Sequence, residues 1–372
     1  MPRGPRVPTI ALLGASGYTG RLVAAELDRR GHEFVAAGRD PDRIAVAVDG
    51  LSATNVTRVD VAEPDTVRAL VADTDLLITT VGPFEHLGRG VLAAAIESDT
   101  HYLDSSGEQP FIRWAFERWG DVAAARGVSV VPAAAFDYVP GDLLGHVAAG
   151  AISLPSQVHV AYLAKAPGGM LNTGSAGTRR TVGAMLGRRV LSVTGGRLQE
   201  EDFMSERRLA WFPRPVGPHH AAGTGGAEPI TIPRHVPGLD VVRTYTALPG
   251  WQAEGAQLLG ALTRRSRLAR DLMVRAVGAG PDGPSDGVRQ ATRMACVAEV
   301  ATAGAQPTVA RAWLSGRDVY AFTAASLVLL AERILAGTAR PGVIAPAEVD
   351  APTSLLDELS ARADLQWSVI AP

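Results

Sequence analysis

Residues 8–20 read PTIALLGASGYTG. The run at 8–13 is short, aliphatic and unbroken, the pattern of a strand buried on both faces. Glycines then recur at every third position: Gly14, Gly17 and Gly20. RLVAAELDRRG follows as a helix, with Leu22, Val23, Ala25 and Leu27 on an apolar side and Gly31 at its stop. A strand, three spaced glycines and a helix form a phosphate cradle for a geometric reason. The first glycine allows the tight turn, the second lets backbone N–H groups approach a pyrophosphate, and the third lets the helix pack on the sheet. The helix N-terminus then faces the anion with its partial positive charge. Glycine spacing alone is weak evidence, but here it has the strand before and the helix after that the motif requires.

The same alternation runs outward through the first third of the chain. EFVAAGR (33–39), VTRVDV (56–61), DLLITTV (75–81), HYLD (101–104) and VSVVPAA (128–134) read as strands, with helical patterns between them. That spacing predicts right-handed βαβ units and a doubly wound parallel sheet, an α/β Rossmann domain over residues 1–135. The texture then changes. QVHVAYLAK (157–165) alternates as a half-buried strand does, TRRTVGAMLGRRVL reads as a helix after a glycine-rich loop, and ITIPRHV (230–236) and LDVVRTYTAL (239–248) read as strands. FPRPVGPHHAAGTGGAEP (212–229) reads as a loop. An inserted α+β domain with a mainly antiparallel sheet is therefore expected over 136–325. Helices at 326–372, ending in SLLDELSARA, are expected to pack back on the first domain.

The cofactor is read from the strand ends, because ligands of such sheets bind outside the carboxyl ends of the strands. Gly14, Ser16, Gly17, Tyr18, Thr19 and Gly20 form the cradle, with Thr19 also placed to cap the helix. The second strand ends on Gly38-Arg39 where an NAD-specific site carries an acidic residue. An arginine fork suits a 2′-phosphate, so NADP(H) is expected. Asp40 opens a DPDR turn and reads as a helix cap. Asp60 and Val61 end the third strand, near the adenine, and Thr80, Val81, Gly82 and Pro83 end the fourth, beside the pyrophosphate and the nicotinamide ribose.

Composition narrows the class. The 372 residues are 47% hydrophobic and 20% charged with net charge −2, which offers no basic surface for nucleic acid or anionic lipid. One cysteine, Cys296, excludes an intrachain disulfide or a thiolate zinc site, and no His/Cys/Glu cluster has metal-ligand spacing. The longest apolar stretch, 321–335, falls short of a membrane span, so a soluble cytoplasmic protein is expected. Lys165 is the sole lysine; the arginine bias, with abundant Ala and Gly, points to a GC-rich bacterial genome.

GASGYTGRLVAAEL (14–27), AGRDPDRI (37–44), VGPF (81–84), HYLDSSGEQPF (101–111) and AFDYVPGDL (135–143) resemble the saccharopine dehydrogenase-like oxidoreductases, whose relatives include trans-acting enoyl reductases of lipid biosynthesis. GSAGTRRTVGAM (174–185), YAFTAAS (320–326) and ARPGVIAPAEV (339–349) carry the resemblance through the rest of the chain. The resemblance implies a Rossmann domain holding NADP(H), an inserted α+β domain closing over the nicotinamide, and a chain end that returns to the first domain. It does not imply saccharopine as substrate.

Hydride transfer needs positioning and a proton path, since the cofactor carries the hard chemistry. Short-chain dehydrogenases use Tyr-x-x-x-Lys; here Tyr162 and Lys165 stand one residue too close, which argues against that mechanism. AFDYVPGDL leaves the sixth strand at the crevice and enters a helix through Pro140. It supplies the catalytic candidates: Tyr138 as proton donor or nicotinamide contact, and Asp137 as a helix cap or a substrate-orienting carboxylate. Asp104, Ser105, Ser106 and Glu108 follow the fifth strand and are placed to face the same pocket, Glu108 equally as a helix N-terminal carboxylate. Thr178, Arg179, Arg234 and His235 are candidate substrate contacts, the arginines suiting a carboxylate or phosphopantetheine group. Two functions fit: an NADPH-dependent reductase of a C=C, C=O or C=N bond in a small or carrier-linked metabolite, and a non-catalytic NADP(H) sensor. An exposed edge of the second sheet makes a homodimer a reasonable expectation.

Overall fold

A computed structural model describes residues 7–167, 174–175, 179, 188–248, 251–252, 254–255, 258 and 282–372. The first sheet is built from β1 (Ile10–Leu13), β2 (Phe34–Gly38), β3 (Ala53–Arg58), β4 (Leu76–Thr79), β5 (His101–Asp104), β6 (Ser129–Val131) and β15 (Gly342–Val343). All its pairings are parallel, in the order β3-β2-β1-β4-β5-β6-β15. The order reverses between β1 and β4, which puts the ligand-binding switch point beside the glycine loop. Leu12, Leu13, Leu76, Leu77 and Ile78 are fully buried, as a sheet covered on both faces requires. Helices α1 (Tyr18–Arg29), α2 (Pro41–Ala47), α3 (Pro64–Ala72), α4 (Phe84–Glu97) and α5 (Gln109–Ala125) are the crossovers.

Helix α6 (Val139–Gly150) leads to the second sheet, and its buried Leu143, Leu144 and Ala148 pack beneath that sheet. Its main path runs β10 (Arg207–Trp211), β11 (Pro218–Gly223), β12 (Val241–Ala247), β7 (Pro155–Lys165), β13 (Arg293–Thr302), β14 (Val309–Arg317) and β16 (Gln366–Ile370). β8 (Arg189–Thr194) pairs with β12 and with β9 (Arg197–Asp202). The ladders are antiparallel except β12 with β7. The two sheets give the mixed α/β architecture expected: a parallel Rossmann-type sheet and a mainly antiparallel one.

Three local expectations need correction. Residues 230–236 are not a strand: α7 spans Glu228–His235. β-branched residues cost a helix only a few tenths of a kcal/mol each, and burial of Ile230, Thr231 and Ile232 against α6 and β12 outweighs that. Residues 212–229 are not all loop, because Pro218–Gly223 is β11, whose Ala221 and Ala222 are buried. The chain does not finish on a helix either. After α8 (Asp286–Ala291), α9 (Val319–Leu335) and α10 (Pro352–Ala363), β16 adds to the second sheet. α9 packs against α1, and β15 extends the parallel sheet beyond β6. The helix read at 178–191 lies largely outside the described residues, and its last three residues belong to β8. Among the described residues, no helix is long and apolar enough to cross a membrane.

Candidate dinucleotide site and crevice

The glycine loop has the close contacts its sequence implies. Gly14 adopts φ +94°, and its N–H donates to the Ala37 carbonyl at 2.8 Å. A Cβ on Gly14 would sit 2.7 Å from Thr80 Oγ1, so the β4 loop closes directly over the turn. A Cβ on Gly20 would sit 2.0 Å from the Gly14 carbonyl oxygen, a backbone atom with no room to yield. Gly17 is exposed and is itself the N-cap of α1, with no side-chain cap bond. Thr19 therefore lies in the first helical turn and does not cap. The helix opens with its N–H groups toward the loop, and the backbone cradle fits a pyrophosphate.

The flanking residues sort into open and committed groups. Arg39 is exposed just past β2 and makes no hydrogen bond or ion pair among the described residues. Asp40 caps α2 through Arg43 N–H at 3.1 Å. Asp60 and Val61 lie in the turn beyond β3, where Asp60 Oδ1 accepts from Ala62 N at 3.0 Å. Thr80, Val81, Gly82 and Pro83 form the link from β4 to α4, with Thr80 N–H donating to the Leu13 carbonyl at 3.0 Å. Ser16 lends its carbonyl to Arg21 at 2.9 Å. Tyr18 turns toward residues later in the chain: its hydroxyl donates to the Pro284 carbonyl at 2.9 Å and its ring meets Tyr320 edge-on at 4.8 Å. Burial there raises its pKa to about 12.

The loops after β5 and β6 form the other wall. Glu108 is buried and caps α4 by accepting from Phe84 N–H at 3.1 Å. Asp104 is fully buried, and Oδ1 accepts from Ser106 N at 2.8 Å and Ala133 N at 2.9 Å. Burial raises Asp104 to about 6 against the pull of those donors. The Tyr138 hydroxyl donates to the Gly107 carbonyl at 2.7 Å, and burial pushes its pKa well above the usual range. Asp137 does not cap α6, whose N-cap is Tyr138. Its side chain is exposed and makes no hydrogen bond or ion pair among the described residues. Although the residue is exposed, desolvation of the carboxyl by the surrounding protein raises it to about 6.

The second-domain candidates are dispersed. Arg179 donates to the Gly174 carbonyl at 2.7 Å, and Thr178 lies outside the described residues. Arg234 and His235 sit on α7, not on a strand. Arg234 stacks over Phe116 at 4.1 Å and donates to the Ile230 carbonyl. His235 Nε2 meets Asp142 Oδ1 at 2.9 Å, and its Nδ1 meets His146 at 3.1 Å. Burial works against charge on both members of the pair, but their mutual attraction prevails, lowering Asp142 and raising His235.

Two buried groups escaped sequence reasoning. Glu228 is 0% exposed, with Oε1 accepting from the Tyr162 hydroxyl at 2.5 Å and Oε2 from Thr244 at 2.9 Å. Desolvation raises it to about 8. Gly141 and Gly226 leave room for it, since a Cβ on either would lie within 2.4 Å of its oxygens. Tyr162 is thus committed to Glu228 while Lys165 is exposed at the strand end, so they form no catalytic pair. Gln109 is buried and forks onto Leu191 N–H and carbonyl and the Gly226 carbonyl, tying α5 to β8 and the approach to α7. The only sequence signal was their setting: Gln109 in GEQPF and Glu228 after GTGGA.

Comparison with known proteins agrees with this geometry. Residues 10–131 match the saccharopine dehydrogenase NADP binding domain. A Mycobacterium tuberculosis protein named for trans-acting enoyl reduction is 34% identical over 149 residues, 38% of this chain and 36% of its own length. A trans-acting enoyl reductase of Mycobacterium ulcerans is 32% identical over 143 residues, 37% of this chain and 34% of its own length. The matched stretch spans about a third of each relative. Apo saccharopine dehydrogenase (L-Glu forming) from Saccharomyces cerevisiae shares the fold: TM-score 0.63, 14% identity, covering 98% of this chain and 100% of the other. The first domain is a dinucleotide-binding domain of the saccharopine dehydrogenase type. Its cofactor is NADP(H), and the cradle formed by Gly14, Gly17 and Gly20 fits that group.

Proposed function

We propose that this protein is an NADPH-dependent oxidoreductase that reduces a C=C, C=O or C=N bond of a small or carrier-linked metabolite, with Asp137 as the residue that hands over the proton. When bound, NADPH supplies the hydride. Gly14, Gly17 and Gly20 hold the pyrophosphate, and Arg39 pairs with the 2′-phosphate through its exposed guanidinium. Thr80 and Val81 close the loop side of the site.

The observation that carries the reading is Asp137. It is an exposed carboxyl with no hydrogen bond or ion pair among the described residues, on the loop leaving the carboxyl end of β6, and its surroundings push its pKa up to about 6. A group with a pKa near neutrality keeps a useful protonated fraction and still releases the proton readily. Tyr138 tethers the loop instead, because its hydroxyl already donates to Gly107.

The test is NADPH oxidation by the full chain against a panel of enones, ketones and imines, free and carried on a phosphopantetheine thioester. Turnover should fall as pH rises through about 6, as Asp137 loses its proton. Asp137→Asn should lower kcat about 10²–10⁴-fold and abolish that pH limb. Intact NADPH binding with no turnover across the panel would favour a non-catalytic NADP(H) sensor.

A further inference from the structure

The loop 132–138, which carries Asp137, is held in place from two sides. Ala133 lies at φ +60°, a left-handed conformation that costs a residue with a Cβ about 1–2 kcal/mol. Such a conformation persists only where its surroundings over-determine it. Here they do. Asp104 Oδ1 accepts the Ala133 N–H at 2.9 Å, Ser106 Oγ stands 3.2 Å from the same nitrogen, and the Asp104 carbonyl accepts the Ala134 N–H at 2.7 Å. From the other side, α9 supplies Ser326, which donates to the Ala134 carbonyl at 2.9 Å, and Thr323, which accepts the Phe136 N–H at 3.2 Å. The Tyr138 hydroxyl closes the loop onto Gly107.

We propose that Asp104 is a positioning residue that acts through Asp137: its carboxylate locks Ala133 in the left-handed turn and so aims the loop at the crevice. The inference rests on the reading of Asp137 as the proton-handling group. Asp104 itself is no candidate for that role. It is 0% exposed, and one oxygen already accepts two backbone N–H groups. Its other oxygen makes no hydrogen bond of good geometry among the described residues; burial disfavours its charged form, and the Ser106, Ala133 and Tyr102 donors only partly offset that. The titratable groups around the loop are Tyr102 of β5, Glu108 before α5, Tyr138 itself and Glu228 of α7. What positions the loop is an acceptor oxygen at the right place, and asparagine supplies one as well.

That distinction sets the experiment. In the full chain with saturating NADP+, amide hydrogen exchange is measured at Ser106 and Ala133, and the Asp137 carboxyl is titrated by carbon NMR. Asp104→Ala should speed exchange at Ala133 at least about tenfold, the scale of one lost charge-assisted hydrogen bond. It should also return Asp137 toward the ordinary carboxylate range. Asp104→Asn should keep both readouts near those of the unaltered protein. NADPH affinity, read by nicotinamide fluorescence, should stay within about threefold in both variants, because the cradle is untouched. Unchanged exchange and titration in Asp104→Ala overturns the proposal. So does Asp104→Asn with Ala133 protection lost, and that arm decides alone if Asp104→Ala fails to fold. If Asp137→Asn keeps full turnover while Asp104→Ala still shifts Asp137, the functional reading fails and the coupling stands.

Discussion

At the carboxyl edge of the parallel sheet, Arg39 and Asp137 are exposed charged groups with no partner among the described residues. Where α6 and α7 meet the second sheet, Glu228 and Asp142 are fully buried, and each holds at least two hydrogen bonds. Both regions contain perturbed carboxyls, so a shifted pKa does not by itself mark function. What separates them is satisfaction. Glu228 is fitted between two glycines and two hydroxyls, as a structural group is. Asp137 keeps its carboxyl oxygens without a partner among the described residues, as the proposed proton-handling role requires.

The contrast can be broken by substitution. The largest effect is expected at Gly20→Ala, where the added Cβ meets the Gly14 carbonyl at 2.0 Å. NADPH affinity should fall at least about 100-fold, with a stability loss of about 1–3 kcal/mol from overpacking. Isothermal titration and thermal melts check both. Arg39→Ala should weaken NADPH about 10–100-fold, the scale of a charge-assisted pair, and leave NADH unchanged. Equal losses for both cofactors would break the assignment of Arg39 to the 2′-phosphate.

On the buried side, Glu228→Gln should alter stability without altering cofactor affinity. The folded-state pKa of Glu228 is raised to about 8, above its unfolded value, so its stabilising contribution is complete below the ordinary carboxylate pKa. It is lost as pH rises through about 8. The variant should therefore show a flatter fall in Tm from pH 5 to pH 9, and an unchanged slope would contradict a neutral buried acid. The smallest effect is expected for Tyr138→Phe: about 0.5–1.5 kcal/mol of stability from the lost bond to Gly107, with turnover within a few-fold.

The first domain was legible because its signals are local. Strands buried on both faces write unbroken apolar runs, and the close approach of Gly20 to Gly14 admits only glycine. Strand β5 coincides with HYLD, and Asp40 caps α2 as DPDR implied. The second domain hid its logic in contacts distant along the chain. ITIPRHV has the β-branched texture of a strand and is helical only because α6 and β12 receive its buried face. Arg234 and His235 read as ligand contacts until Phe116, Asp142 and His146 claimed them. AFDYVPGDL was legible as the link from β6 into a helix, but which of its side chains stays open was not. That depends on Gly107 lying within reach of Tyr138, a relation set by two strands.

The order of segments also bears on how the protein is made. The glycine loop and six parallel strands are encoded by residue 131, but α9, which backs α1, and β15, which extends the sheet, arrive only at residues 319–343. At about 5–20 residues per second, a ribosome needs roughly 10–40 s to synthesise the intervening chain. Throughout that interval the nascent first domain has an uncovered helix and an unpaired β6 edge. Capture of NADPH by nascent chains should therefore begin late in synthesis, and chaperone demand should peak before α9 emerges.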